Sequence, residues 1–189
     1  LPFIELIKEK MEIVDVNGPT DHRARELGRT NTYLTPLNAD NSEKCVRLFH
    51  EFIKGKKTTL HRIALKGREI HVKAADKVAF CSFAELCELP VGAEDYLALA
   101  KTFHTVFITD IPRLGYDRRN EAKRFMTLID VLYEAQTRIV LTAEVKVDDL
   151  YQGHDHAFEF PRTVSRIREM TSESYLQKWT ERTAGNMIH

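Results

Sequence analysis

"VFITDIPRL" (Val106–Leu114) is an apolar run that ends in an acid and a turn, and its counterpart is "RIVLTAEV" (Arg138–Val145). Each run is nearly all apolar, the pattern of a strand buried on both faces in the middle of a sheet. Between them a helix is expected from about Glu121 to Ala135, burying Ala122, Phe125, Met126, Ile129, Leu132 and Tyr133. Strand, long helix and strand make a right-handed parallel crossover the default. This unit fixes the class as α/β.

Working outward, Thr59 to Phe83 is the β-rich part. "LHRIAL", a turn at Lys66-Gly67, "REIHV" and then "KVAFCSF" read as a hairpin and a third strand. A hairpin joined to a parallel unit implies a mixed, partly parallel sheet with flanking helices. "TYLTPL" is a weak extended segment. Asn41 or Ser42 is expected to cap a helix running to Ile53, with Val46, Phe49 and Ile53 on its apolar stripe. Another helix, about Ala93 to Phe103, carries Tyr96, Leu97, Leu99, Ala100 and Phe103. The tail reads as two short helices, "TVSRIREM" and "SESYLQKW", the second capped by Ser172. At the other end, "LPFIELIKEKM" repeats Leu1, Ile4, Ile7 and Met11 at helical spacing. "EIVDVNG" alternates as a half-buried strand, and "TDHRAREL" follows as a short helix. A chain that begins at Leu1 with a helix under way reads as a piece of a longer protein.

Composition sets wide bounds. The 189 residues are 43% hydrophobic and 30% charged, an ordinary globular balance that can bury a core. Lys plus Arg equals Asp plus Glu at 28 each, so global charge gives no argument for a nucleic-acid partner. The three cysteines lack a second Cys/His pair at zinc spacing and read as reduced core thiols of an intracellular protein. No stretch reaches the ~20 apolar residues of a membrane span, and no signal peptide is visible.

An apolar strand ending in aspartate, then helix and strand, is also how the magnesium-binding half of a P-loop ATPase is built. Such an enzyme needs a glycine loop whose backbone N–H groups wrap the phosphates. The candidate here is "GKKT" (Gly55–Thr58). The glycine required five residues before its Gly-Lys pair is His50, inside a predicted helix whose N–H groups are already used. The segment is rejected as a phosphate loop.

Several residues have competing readings. Asp110 stands at the carboxyl edge of its strand, either as a polar group at a nucleotide or partner cleft or as a turn residue before Ile111-Pro112. Arg124 and Asp130 lie on the exposed side of their helix and are not spaced to pair with each other. Each can reach another element or simply be solvated. Arg162 and Arg166 are four apart and share a face if Arg162 is helical, while Arg168 points elsewhere. A guanidinium can reach a γ-phosphate in trans or fork onto a carboxylate, with Glu159 or Glu169 as local partners. His154-Asp155-His156 lies in loop sequence without further ligands, so no metal site is assigned. No Ser-His-Asp or Cys-His nucleophile pattern emerges.

The blocks "CSFAELCELPVGAEDYLALAKTFHTVFITDIPRL", "AKRFMTLIDVLYE", "AEVKVDDLY" and "FEFPRTVSRIREMTSESYL" resemble, in order and spacing, the C-terminal half of the ZapE/AFG-like ATPases. "LPFIELIK" and "GPTDHR" resemble elements that follow that family's arginine-finger motif. The pattern departs at His22, Lys123 and Pro161, where the family usually has Tyr, Arg and Glu. The resemblance covers Leu1 to Leu176 and implies the C-terminal part of an AAA-type ATPase. Residues 1–28 would form the end of the ATPase core and the lid entry, and residues 29–189 a C-terminal α/β domain with a small helical tail. It implies ATP and magnesium in the full-length parent and none for this chain alone, which is expected to be inactive. It makes Arg23 the sensor candidate, marks Arg124 and Asp130 as characteristic of the family, and implies protein clients remodelled in cell division or mitochondrial quality control. Together with their positions, Asp110 and Arg124 are taken as nucleotide-facing candidates and Arg162 and Arg166 as catalytic ones. Expected partners are the missing N-terminal core, those clients and a second copy of the chain, through an apolar patch at Phe3 and Ile7. The expected location is the cytoplasm, or the periphery of the inner membrane. A different class stays open: a stand-alone interaction domain without enzymatic activity.

Overall fold

The computed structural model describes residues 31–65 and 67–186. In chain order the elements are β1 (Tyr33–Leu34), α1 (Ala39–Ile53), β2 (Thr59–Leu65), β3 (Arg68–Ala75), β4 (Val78–Ser82), a π turn (Ala84–Glu88), α2 (Ala93–Thr102), β5 (Thr105–Ile111), α3 (Arg119–Glu134), β6 (Arg138–Ala143), α4 (Phe160–Met170) and α5 (Glu173–Asn186). Six strands form one sheet in the order β1-β6-β5-β4-β3-β2. The pairs β1–β6, β6–β5 and β5–β4 are parallel; β4–β3 and β3–β2 are antiparallel. The sheet is mixed, as the hairpin and the crossover together require.

The two apolar runs are the centre of the sheet. Val106, Phe107, Ile108, Ile139, Val140 and Leu141 are all fully buried. Phe107 is paired with Phe80, and both rings meet Phe49 of α1, which therefore covers that face. Alternation turns Val106 and Ile108 to the opposite face. There α2 and α3 pack against each other, as two successive right-handed crossovers β4-α2-β5 and β5-α3-β6 must. Phe125 of α3 meets Phe83, just beyond β4. Burying a large side chain contributes roughly 1.5–3 kcal/mol, so this three-layer centre holds most of the stabilising area.

Local chemistry explains the boundaries. The Asn38 side chain accepts from the Asn41 amide at 2.8 Å, so the cap of α1 lies earlier than the Asn41 or Ser42 expected from sequence. Its apolar stripe is Cys45, Leu48, Phe49, Phe52 and Ile53, and Val46 is exposed. Phe49 and Ile53 of the expected stripe are buried, and Cys45, Leu48 and Phe52 complete it in place of Val46. On α2, Tyr96 and Leu99 are buried and Leu97 is exposed. In the first turn of α2, the fully buried Asp95 accepts from the Gly92 amide and is forked by Arg68 of β3. All three cysteines are free and buried.

Residues Thr32–Thr171 form one compact unit, and α5 belongs to a second. In that second unit the Ser172 hydroxyl accepts from the Tyr175 amide at 3.2 Å, capping α5 as expected. The first helix, strand and short helix expected before Asn31, with Phe3, Ile7 and Arg23, lie outside the described residues.

Candidate functional site

The carboxyl ends of β1, β6, β5 and β4 share one edge. The helix after β1 covers one face and the helix after β5 the other. This is the switch arrangement at which open α/β sheets bind ligands. A phosphate grip there needs free backbone N–H groups at a strand-to-helix junction. This chain spends several of them internally. Between β1 and α1, the Asn41 amide is taken by Asn38, and the Asn41 side chain donates to the Pro36 carbonyl at 2.8 Å. Between β4 and α2, Ser82 and Glu85 cap each other's amides at 3.2 and 3.1 Å, and Asp95 takes the Gly92 amide at 2.7 Å. After β5, the Arg113 amide donates to Glu144 at 2.8 Å. "GKKT" is not at this edge: it joins α1 to β2, after a helix rather than before one.

Asp110 sits on this edge at a bulge. The β5–β6 register shifts between Ile108 and Ile111, and Asp110 takes φ 61°, a conformation that aspartate tolerates better than most residues. Its amide donates to the Thr142 hydroxyl at 2.8 Å, while its exposed carboxylate accepts from Thr109 at 3.2 Å. The Cys45 thiol is pushed up to about 12, by burial first and by the Asp110 charge second. Arg124 turns elsewhere, donating to the Cys87 carbonyl at 3.0 Å and tying α3 to the π turn. Among the described residues no group of three His, Cys, Asp or Glu side chains could hold a metal ion.

The two tail arginines do come together, in the seam between α3 and α4. Arg162 is helical and donates to Asp130 Oδ2 at 3.0 Å; Arg166 donates to Asp130 Oδ1. Arg166 also lies 3.5 Å from Glu134, and its guanidinium carbon stands 4.6 Å above the Tyr133 ring. The Tyr133 hydroxyl closes the seam by donating to Glu169 at 2.8 Å. Neither arginine takes the local partner expected from sequence. Glu159 and Glu169 are on their own segment, whereas Asp130 is on the helix packed against it. The signal lies in the sequence: Asp130 and Glu134 repeat at i, i+4 on α3, as Arg162 and Arg166 do on α4, so two short charge ladders face each other. Arg168 does point elsewhere, to Asp148.

A second knot gathers around Tyr151. Its hydroxyl accepts from the His156 amide at 2.8 Å and its ring stacks on Phe160. A Cβ on Gly153 would stand 2.6 Å from that hydroxyl, so only glycine fits. His154 meets the Tyr116 hydroxyl and His156 the Arg119 carbonyl. The two histidines pin a loop rather than converge on one point.

Comparison with known proteins places this geometry. The AFG1-like ATPase family profile matches residues 1–179. The cell division protein ZapE of Escherichia coli (strain K12) is 33% identical over 179 residues, covering 94% of this chain and 48% of that protein. Lactation elevated protein 1 homolog B of Danio rerio is 30% identical, covering 93% and 42%. An uncharacterised Schizosaccharomyces pombe protein is 28% identical, covering 93% and 46%. No solved structure matches significantly. The chain spans about half the length of these curated relatives, and with a family match along nearly its whole length it belongs to the AFG1-like ATPases.

Proposed function

We propose that this chain supplies the client- and neighbour-contacting α/β part of an ATP-driven remodelling enzyme acting in cell division or in mitochondrial quality control. In this reading the loop that grips ATP and magnesium lies elsewhere in the full-length protein. The observation that carries it is the self-capped carboxyl edge: a sheet of nucleotide-binding type whose junction amides are satisfied by Asn38, Ser82, Glu85, Asp95 and Glu144. Arg162 and Arg166 then fasten α4 to α3, and their influence on turnover passes through that packing. Association with a second copy and a cytoplasmic or peripheral inner-membrane location belong to the same proposal.

The test is ATP hydrolysis by the 189-residue chain beside that of the full-length protein. The chain should show no magnesium-dependent turnover above background, and the full-length protein should show it. Magnesium-dependent turnover that follows the chain through successive purification steps would overturn the reading.

A further inference from the structure

We propose that two copies of this chain join edge to edge through β2, antiparallel and centred on Ile63, so that the sheet continues across a twofold axis. The proposal rests on the association with a second copy given above and not on the enzymatic reading. β2 ends the six-strand order, and among the described residues its strand partner is β3 alone. Leu65 and Arg68 flank a two-residue turn, where the flanking pair exchanges both backbone hydrogen bonds. Alternation then makes Ile63–Ile70, His61–Val72 and Thr59–Ala74 the bonded pairs. The next hairpin agrees: Ala75 and Val78 flank its turn, so β3 bonds to β4 through Ala75 and Lys73, the other parity. The backbone N–H and C=O groups of Leu60, Arg62 and Ala64 therefore point outward past the edge of the sheet. Natural edges are blunted by proline, a bulge or charge. β2 has no proline, its pairing with β3 runs without a shift, and its arginine, Arg62, is held by Glu69 at 2.6 Å.

Charge and apolar pattern select a second copy and its register. A twofold pairing that uses more than one of these outward residues centres on His61, Arg62 or Ile63. Within the hairpin Leu60 faces Lys73, Arg62 faces His71 and Ala64 faces Glu69, so each register writes a different row across the joined sheets. Centred on Arg62, the row sets Arg62 against Arg62 of the second copy. Centred on His61, it sets Arg62 beside Leu60 of the second copy, with Lys73 next in line. Like charges in one row oppose pairing. Centred on Ile63, it sets Arg62 beside Ala64 of the second copy, with Glu69 next in line. Two strand spacings, about 10 Å, separate that arginine and glutamate, and both side chains reach across a single methyl group. The other face agrees. Ile63 is buried and Ile70 beside it half-buried. In the Ile63 register Ile63 meets its own copy with an Ile70 on either side, an unbroken apolar row. In the other two, His61 interrupts it. The contact is one strand long, so the dimer forms on concentration and parts on dilution.

The experiment is sedimentation of the 189-residue chain over a concentration series, with variants of the edge. The unaltered chain should show a monomer–dimer equilibrium. The exposed Ala64 turns its N–H away from β3, so Ala64→Pro keeps the hairpin and removes a bond to the second copy on each side of the axis. It should weaken the dimer about tenfold or more. Arg62→Glu puts like charges in the row and should weaken it about tenfold, and Arg62→Glu with Glu69→Arg should restore it. Register is read by oxidising single-cysteine variants, since Cys45, Cys81 and Cys87 are buried. Ile63→Cys should cross-link most, because a non-bonded antiparallel pair stands within disulfide reach; His61→Cys and Arg62→Cys should cross-link less. A dimer as strong in Ala64→Pro as in the unaltered chain would overturn the proposal and leave association through another surface standing. So would strongest cross-linking at His61→Cys or Arg62→Cys. A chain that stays monomeric at every concentration would overturn both this proposal and the association it rests on.

Discussion

Asp95 shows how one buried carboxylate can hold three segments. It is fully buried, caps the Gly92 amide and accepts from Nε and Nη2 of Arg68, whose Nη1 donates to the Pro90 carbonyl and whose side chain is still 46% exposed. The two partners are therefore unequal. Arg68→Ala strands a buried charge with one remaining amide, and should cost about 3 kcal/mol. Asp95→Ala loses a helix cap and leaves an arginine that can reach water, so about 1–2 kcal/mol is expected. The sharper expectation is the double variant: Arg68→Ala with Asp95→Asn should be more stable than Arg68→Ala alone, because the stranded charge is gone. Urea unfolding of the three variants decides it. A double variant less stable than Arg68→Ala would show that the pair does not act through burial of that charge.

At the scale of elements, the seam between α3 and α4 is where packing and chemistry are hardest to separate. Arg166 is only 21% exposed, touches Asp130 and Glu134, and lies over Tyr133; Arg162 is 62% exposed and shares a carboxylate already engaged. Arg166→Ala should therefore lower stability by about 1–2 kcal/mol, and Arg162→Ala by about 0–1 kcal/mol once solvent screening is counted. Arg166→Lys should recover little, because an ammonium cannot fork onto two carboxylates and cover a ring. Melting temperature and turnover per folded molecule, measured on the same full-length preparations, separate fastening from catalysis. A large fall in turnover with unchanged melting would assign the arginines to phosphoryl transfer, where such a residue is worth about 10³-fold or more.

For the whole molecule, the sheet predicts its own gradient of stability. β5 and β6 are covered on both faces, whereas β2 lies at one edge of the six-strand order with an exposed side-chain face. Opening should begin at the edge and reach the centre last. In hydrogen–deuterium exchange, peptides covering 105–111 and 138–143 should be the slowest, and those covering 59–65 among the fastest of the strands. Exchange of β2 as slow as that of β5 would contradict this order.

Much of this was legible in the chain itself. Apolar runs at Val106 and Arg138 fixed central strands, because a strand buried on both faces must be apolar throughout. The residues around Lys66-Gly67 fixed a hairpin, because strands that close in sequence pair locally. The absence of a glycine before "GKKT" followed from spacing alone. The partners of the charged residues needed the fold. Asp130 and Arg166 are separated by 36 residues, and only the packing of α4 on α3 brings their ladders together. The left-handed conformation of Asp110 needed the bulge that pairing β5 with β6 creates. Periodicity is a local property and survives in sequence; long-range juxtaposition is made by the tertiary structure.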